Sequence, residues 1–513
     1  MSKTLVNCKP CMSDNCDNCT HDNCLCDIET NHNNNLKIKE NNSNISHSSK
    51  NNVWAEIYKD QSESTFRNNP HDKNRIDDAA EAIQRYHKFV TLRKTDEILE
   101  YDGKIYNSNK SKSIIKEETE KLLYNCTEHD RNEVLSKIKV QSYTDIELFD
   151  SDPSLITLLN GILNLDSLEL TSHTSKNLSR VLYPVEYHEP LHDIDDDNIF
   201  ECLEDNLKNT LFWKSLKSCF TIDGYFRKED FETILEMIAS VFIKKQVDER
   251  AFINLGGGNN GKSVVLEYIE SLLGRDNVSR IALHEISEDK FMAAELESKL
   301  VNVYADLENN ELRKTGKLKQ IVSGEGIQVQ RKYSNPFQLY PFCKLVFSCN
   351  RFPKVYDQTQ GFFRRWIIVK WERNFENDPQ RDEHLKENLK NNREEKNLVF
   401  SCLVRLAKKL KKTGKFTHSK DWREIQKTWN ANADPLDDFA TNYIIESDGS
   451  KTKRETYQFY KAYCYEKGES PLGMGQFGKR FAEYYEDSRD GGNRTWLNID
   501  FRKPKDTLMK DFQ

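Results

Sequence analysis

The sequence predicts a multidomain α/β protein: an α-rich N-terminal flank, a central α/β unit, and a small C-terminal unit of helices and strands. Three observations carry this. The chain has 513 residues, and at roughly 100–200 residues per domain that is three or four folded units. From 251 to 373 the texture changes from helical periodicity to short apolar strands separated by glycine-rich or acidic turns. At 251–263 the chain reads A-F-I-N-L-G-G-G-N-N-G-K-S and runs on into V-V-L-E-Y-I-E-S-L-L, which is strand, glycine loop and helix in direct succession.

The elements follow in order. Residues 1–30 hold six cysteines between Cys8 and Cys26. Residues 31–52 contain nine Asn with Ser and Lys and almost nothing apolar; such a segment cannot offset its ordering entropy by burial and reads as a disordered linker. A 53–150 α+β unit comes next. It has a helix over 77–94, a hairpin around Asp102-Gly103 within D-E-I-L-E-Y-D-G-K-I-Y, and helical pattern over 112–139. The 151–245 region opens on the β-rich L-L-N-G-I-L-N-L-D at 158–166. Its acidic run at 193–197 starts a helical region extending to Lys245, with apolar residues at Phe231, Ile234, Leu235, Ile238, Val241 and Phe242 at the 3.6-residue period. The central α/β unit occupies 246–400. A basic helix at 397–412 leads through a 401–433 connector to a 434–505 unit of helices with a terminal strand around Trp496–Phe501, then a 506–513 tail.

Composition narrows the classes. Hydrophobic residues are 37% and charged residues 31%, against about 45–50% and about 25% in ordinary globular chains, so part of the chain lies outside any core. No run of about 18 apolar residues exists to span a membrane, and the N-terminus M-S-K-T-L-V-N-C-K-P-C lacks the apolar stretch of a signal peptide. The expected location is the cytoplasm, with no membrane partner, and there structural disulfides are not expected. The net charge is −7, but residues 401–513 carry 22 Lys+Arg against 17 Asp+Glu. That balance, 22 − 17 = +5, leaves −12 on the first 400 residues and hints at an anionic partner for the C-terminal part.

The motif G-x-x-x-x-G-K-S is the chemical centre. Gly256, Gly257, Gly258 and Gly261 let the backbone curl, so that the N–H groups of the loop through Asn259 and Asn260, and of the helix start at Lys262, Ser263 and Val264, face a phosphate. Lys262 is expected to reach the β- and γ-phosphates of ATP, and the Ser263 hydroxyl to ligate Mg²⁺. Some 45 residues on, L-V-N-V-Y-A-D-L-E ends a β-rich run in Asp306 and Glu308. Asp306 is the expected metal-side carboxylate and Glu308 the expected water activator; spacing alone leaves the two roles exchangeable. Asn350 tips the strand K-L-V-F-S-C-N and is placed to orient the attacking water. Arg364 and Arg365, in G-F-F-R-R-W, offer an arginine finger to a neighbouring subunit.

The order phosphate loop, acidic strand, Asn-tipped strand, paired arginines, over about 110 residues, resembles the superfamily 3 helicases, AAA+ ATPases of small viruses and plasmids. K-L-K-Q-I-V-S-G-E-G-I-Q-V-Q-R-K-Y-S-N-P-F at 317–337 resembles the phage, plasmid and poxvirus primase-helicase branch. N-G-I-L-N-L at 160–165 with Y-P-V-E-Y at 183–187 resembles the domain preceding the ATPase there, and D-P-L-D-D-F at 434–439, Y-Q-F-Y-K-A-Y at 457–463 and F-G-K-R-F at 477–481 its C-terminal winged-helix-like domain. The resemblance implies a ring, usually a hexamer, with ATP at subunit interfaces, single-stranded or forked DNA in the pore, and Lys262, Ser263, Asp306, Glu308, Asn350 and Arg364 or Arg365 at the ATP site. Only about 150 residues precede the match. The one dense acidic run, at 193–197, lies in a polar stretch, so no polymerase metal site is expected and a primase or polymerase would be a separate partner.

A ring translocase needs a basic element that grips the phosphate backbone. Residues 327–340 read as a hairpin with Arg331, Lys332 and Tyr333 near its tip to supply charge and a stacking face. Lys408, Lys409, Lys411 and Lys412 read as a solvated helix face. In the cysteine segment the spacing resembles a zinc site: Cys8, Cys11, Cys16 and Cys19 as four ligands, or His21, Cys24 and Cys26 replacing some of them. The function expected is an ATP-dependent DNA helicase of virus, plasmid or integrated-element replication. Its rivals are an origin-binding initiator in which ATP controls assembly alone, and a small kinase using the same loop, which would need neither 317–337 nor the basic C-terminal unit.

Overall fold

The computed structural model describes residues 74–502, apart from 308–309, 334, 380, 467–470 and 491–492. Among the described residues the chain divides into two compact units: the first takes those up to Gly103 and Asn107–Thr144, the second Lys104–Tyr106 and those from Asp145.

In the first unit, α1 (Arg75–Tyr86) buries Ala79, Ala80 and Ile83. β1 (Phe89–Leu92) pairs antiparallel with β2 (Glu97–Tyr101) and parallel with β3 (Tyr143–Thr144). The sequence expectation of one helix over 77–94 is therefore corrected. The helix stops at Tyr86, because F-V-T-L gains a strand partner on each side and is fully buried, and tertiary pairing of β-branched and aromatic residues outweighs local helical pattern. The helical stretch over 112–139 is likewise two helices, α2 (Ser111–Leu122) and α3 (Glu128–Gln141). Thr127 and Asp130 form a reciprocal capping box at the start of α3, satisfying two N–H groups that a continuous helix would not expose.

In the second unit, the antiparallel strands β4 (Leu155–Thr157), β5 (Ile162–Asn164) and β6 (Leu170–Thr171) precede three helices, α4 (Ile199–Leu207), α5 (Leu211–Cys219) and α6 (Lys228–Ser240). Then comes a five-stranded sheet from β7 (Ala251–Leu255), β8 (Val278–Ser279), β9 (Val301–Tyr304), β12 (Lys344–Cys349) and β13 (Trp366–Lys370). Every pairing in it is parallel, and the spatial order is β8-β9-β12-β7-β13. A parallel sheet is covered on both faces, so its strands do not alternate apolar and polar; β7, A-F-I-N-L, is buried at every position, Asn254 included. Phe252, Val346 and Ile367 face one core with Ile269 and Leu272 of α7 (Lys262–Leu273) and Phe400 and Leu403 of α11 (Arg393–Thr413). Ile253, Phe347 and Ile368 face another with Ile321 of α8 (Gly316–Ser323) and Trp429 of α12 (Trp422–Ala433). Between β9 and β12 lies the antiparallel hairpin β10 (Ile327–Val329) and β11 (Phe337–Leu339). α9 (Gln360–Phe363) leads into β13, and α10 (Leu385–Asn391) precedes α11.

From Asp434 a third core forms, rich in aromatics: Phe439, Tyr460, Tyr463, Phe477, Phe481 and Trp496. It sits between α13 (Lys453–Glu466), α14 (Met474–Phe481) and an antiparallel sheet in the order β14 (Ile444–Thr452), β16 (Asn493–Phe501), β15 (Asp487–Asp490).

Candidate nucleotide-binding site

The loop between β7 and α7 is built by its own backbone requirements. Asn259 and Gly261 take positive φ, 56° and 91°, a conformation that glycine and asparagine accept most readily. Gly256 has no room for a side chain: a Cβ there would lie 2.3 Å from the Trp371 carbonyl oxygen, and one at Gly261 would lie 2.5 Å from the Cys219 Sγ. Gly257 and Gly258 border open space instead. The Asn260 amide, buried, donates to the carbonyls of Gly257 (2.7 Å) and Trp371 (3.2 Å) and pins the curl. Lys262 Nζ turns back into the loop, donating to the carbonyls of Gly256 (2.5 Å) and Gly257 (2.8 Å) and to Asn260 Oδ1 (3.2 Å). Burial lowers its pKa to about 8, against the opposing pull of Cys349 and Asp306. An ammonium held by neutral oxygens within a glycine loop at a helix start is the arrangement that suits an anion.

The loop opens onto a cleft of about 680 Å³, lined also by Ser263, Val264, Asp306 and Asn350. Asp306 and Asn350 come together because each follows the carboxyl end of its strand, β9 and β12, which are neighbours in register; the Leu307 N–H donates to the Ser348 carbonyl at 2.9 Å. Both side chains are exposed. Glu308 lies outside the described residues. The far wall is apolar, with Leu211, Phe212, Leu216, Tyr268 and Leu389.

Arg364 and Arg365 lie elsewhere. They precede the amino end of β13, which runs alongside β7 in register from Ala251↔Trp366 to Leu255↔Lys370. The arginines are thus at the end of the sheet opposite to the phosphate loop, a strand length of roughly 13–17 Å away at about 3.3 Å per residue. Arg364 Nη2 donates to Glu249 at 2.6 Å; Arg365 Nη2 donates to Ser323 Oγ at 2.8 Å and lies 3.4 Å from Glu249, and its Nη1 bonds the Gly361 carbonyl. The Arg364 side chain is 41% exposed and the Arg365 side chain 12%.

Several residues at or behind the cleft carry no motif. Beyond β13, Trp371 Nε1 donates to Asn254 Oδ1 (2.8 Å) and the Phe375 N–H to the Asn259 carbonyl (2.7 Å), so this segment buttresses the loop. Arg373 holds the end of α5 through the Ser218 carbonyl and the short strand that follows through the Thr221 carbonyl, both at 3.0 Å. Arg381 lines the cleft and is exposed. Nothing in W-E-R-N-F-E-N-D-P-Q-R distinguishes it from a solvated loop.

At the hairpin, Arg331 is tied back, paired to Glu297 and lying 5.5 Å over the Phe337 ring. Lys332 and Tyr333 are exposed, Tyr333 at φ 64° and wholly so. Of the lysines of α11, three are engaged within the chain: Lys411 bonds Asp166 at 2.6 Å, Lys409 the Asp196 carbonyl at 2.7 Å, and Lys412 lies 3.5 Å from Asp196. The candidate zinc ligands Cys8, Cys11, Cys16, Cys19, His21, Cys24 and Cys26 lie outside the described residues. Among the described residues, no helix is long and apolar enough to cross a membrane.

The family described as "D5 N terminal like" matches residues 38–238, a family of unknown function (DUF5906) matches 255–365, and the family described as "Poxvirus D5 protein-like" matches 431–511. The chain is similar to "Putative helicase 121R" of Invertebrate iridescent virus 3, 22% identical over 258 residues. That match covers 48% of this chain and 26% of the relative, so the chain spans about a quarter of that protein's length. Two solved structures of the NrS-1 C-terminal region are also similar. One covers 84% of this chain and all of its own, at 12% identity and TM-score 0.46; the other covers 82% of this chain and 98% of its own, at 12% identity and TM-score 0.45. The chain thus carries D5-like domains, of the primase-helicase kind, before and after the phosphate-binding sheet in sequence, and is similar over about half its length to a putative viral helicase.

Proposed function

We propose that this protein is an ATP-hydrolysing DNA helicase of the AAA+ superfamily 3 type, working as a ring, with a hexamer the expected form. One observation carries the reading. The phosphate loop, Asp306 and Asn350 share the carboxyl end of a parallel sheet ordered β8-β9-β12-β7-β13, while the arginine pair sits at the opposite end. A subunit arranged this way cannot bring its own arginines to its own nucleotide; they complete a site only on a neighbouring copy.

ATP binds with its phosphates on the loop N–H groups and the start of α7, and its base toward the apolar wall. Lys262 exchanges its carbonyl partners for the β- and γ-phosphates. A hydroxyl and a carboxylate lining one cleft suit Mg²⁺, so Ser263 and Asp306 would hold the ion, which supplies charge neutralisation to the phosphates when bound. Glu308 takes the proton of the attacking water, and Asn350 orients that water beside the γ-phosphate. The neighbouring copy's arginine stabilises the charge on the transferred group, an effect worth about 10³–10⁵ in rate. Lys332 and Tyr333 contact DNA in the pore, the lysine on phosphate and the tyrosine stacking on a base. The winged-helix-like unit after Asp434 holds duplex or a partner, and a separate primase or polymerase supplies synthesis.

Fork unwinding with ATP, run beside ATPase assays with and without single-stranded DNA, tests this. Hydrolysis stimulated by single strands together with strand separation is expected. Nucleotide binding that drives assembly without unwinding would favour the origin-binding initiator.

A further inference from the structure

The arginine pair is not free at the amino end of the sheet: one carboxylate, Glu249, holds both. Among the described residues Glu249 is the partner shown for the Arg364 guanidinium, whereas Arg365 has Ser323 and the Gly361 carbonyl besides. Although burial works against it, the contact with Arg364 keeps the Glu249 carboxyl below its usual range. The corner is fixed from several directions. Asp248 and Glu249 are successive residues at positive φ, 53° and 48°, which non-glycine residues adopt only where the surroundings hold them. Arg250 bonds Asp248 at 3.0 Å with Nε and the Arg364 carbonyl with Nη1. The Ala251 N–H donates to the Arg365 carbonyl at 2.7 Å. Strand β7 begins at Ala251 and ends at the phosphate loop, so the corner that presents the arginines and the loop that binds nucleotide are the two ends of one buried strand.

We infer that Glu249 is the positioning residue for the trans-acting Arg364. This rests on the reading that the arginine serves a neighbouring copy's nucleotide. Glu249 is shared by the two guanidiniums, and Arg364, the more exposed, is the one a second anion can recruit. Glu249 restricts Arg364 to one attitude until the neighbour's terminal phosphate, with more charge, competes for it. Without the carboxylate, a half-exposed arginine samples many rotamers and meets the phosphate misaligned, and misplacement of about 1 Å costs roughly 10²-fold in rate.

The test is a double-mutant cycle in the full chain, reading kcat and KM for ATP in Glu249→Gln, Arg364→Ala and the double variant. Glu249→Gln is expected to lower kcat roughly 10²-fold with KM unchanged, because its own phosphate loop is intact. The double variant is expected to match Arg364→Ala alone, since Glu249 acts through that residue. Mixing Glu249→Gln chains with Lys262→Ala chains should raise hydrolysis per intact loop, because the second chain donates a well-held arginine to the first. Wild-type kcat in Glu249→Gln overturns the inference. So does a double variant slower than Arg364→Ala by the full Glu249→Gln factor, the result expected if Glu249 only supports the fold. Wild-type hydrolysis in Arg364→Ala would instead overturn the trans-arginine reading, and the inference with it.

Discussion

The two ends of the central sheet treat charge in opposite ways. At the carboxyl end the Lys262 ammonium rests on neutral carbonyl and amide oxygens, with Asp306 and Asn350 exposed across an open cleft. At the amino end Arg364 and Arg365 are matched by a carboxylate and backed by a hydroxyl and a carbonyl. An unmatched charge in a concave polar site is arranged for a ligand. A matched charge on a partly exposed edge is arranged for a competitor. The same strand, β7, has one kind of site at each end.

Removing the unmatched charge should have the largest effect. Lys262→Ala is expected to reduce ATP hydrolysis to background, since Lys262 is the cation buried within the loop. Measured hydrolysis near wild type would mean that the carboxyl end is not the nucleotide site. Next comes Arg364→Ala, expected to lower kcat by roughly 10³-fold without weakening nucleotide binding to the same chain. Mixed with wild-type chains, it should poison neighbouring sites, so that activity falls faster than the variant fraction. A proportional fall would make each site complete within one subunit and erase the contrast between the ends.

The two ends were not equally legible. The phosphate loop is readable because its requirements are local: glycines where φ is positive or where Trp371 and Cys219 leave no space, then Lys-Ser opening a helix. Asp306 and Asn350 are readable as strand-end residues, although their convergence depends on β9 and β12 being neighbours, which no local pattern encodes. Glu249 is unreadable. In Q-V-D-E-R it is one charge among several, and its role depends on pairing with residues more than a hundred positions away. Arg364 and Arg365 are adjacent in sequence yet differ threefold in exposure, because a turn after α9 sends one side chain outward and the other beneath it. The strand Phe89–Leu92 was hidden for a similar reason, since its partners lie on both sides in space. By contrast, the helix break before Glu128 had a local signal in T-E-H-D, the capping box that forms there.

A smaller effect concerns pH. Burial lowers the Lys262 pKa to about 8, below the usual lysine value of about 10.4. Because the folded value is depressed, this group penalises the folded state below pH 8, and the penalty fades as pH rises toward the unfolded value. Bound phosphates reverse the sign by favouring the charged form. Nucleotide binding should therefore take up a proton above pH 8, and affinity should weaken by up to about tenfold per pH unit there. Binding titrations from pH 7 to pH 9.5 would show this, and a Lys262→Met variant should lose the slope. Affinity flat in pH would mean that the ammonium at the carboxyl end is already matched, as the arginines are.

The smallest kinetic effect should come from Arg365→Lys, and it separates the two arginines. Arg365 is mostly covered, and its fork reaches Ser323, the Gly361 carbonyl and Glu249 at once. Lysine keeps the charge but offers one donor centre on a different geometry, leaving at least one of those acceptors without a partner at a cost of about 1–3 kcal/mol. The wild-type side chain already leaves Nε buried without a hydrogen bond among the described residues, and losing that nitrogen returns part of the cost. The net loss should fall at the lower end, about 1 kcal/mol, and should appear as a lowered melting temperature. Turnover should fall by less than about tenfold, because the finger at Arg364 is untouched and only its support loosens. If turnover collapses while the melting temperature holds, the roles are exchanged: the covered arginine reaches the neighbour's phosphate, and Arg364 is the one that merely neutralises Glu249. That outcome would require the corner around Ser323 and Gly361 to open on assembly, and the amino end would then be no more preassembled than the cleft at the other end of β7.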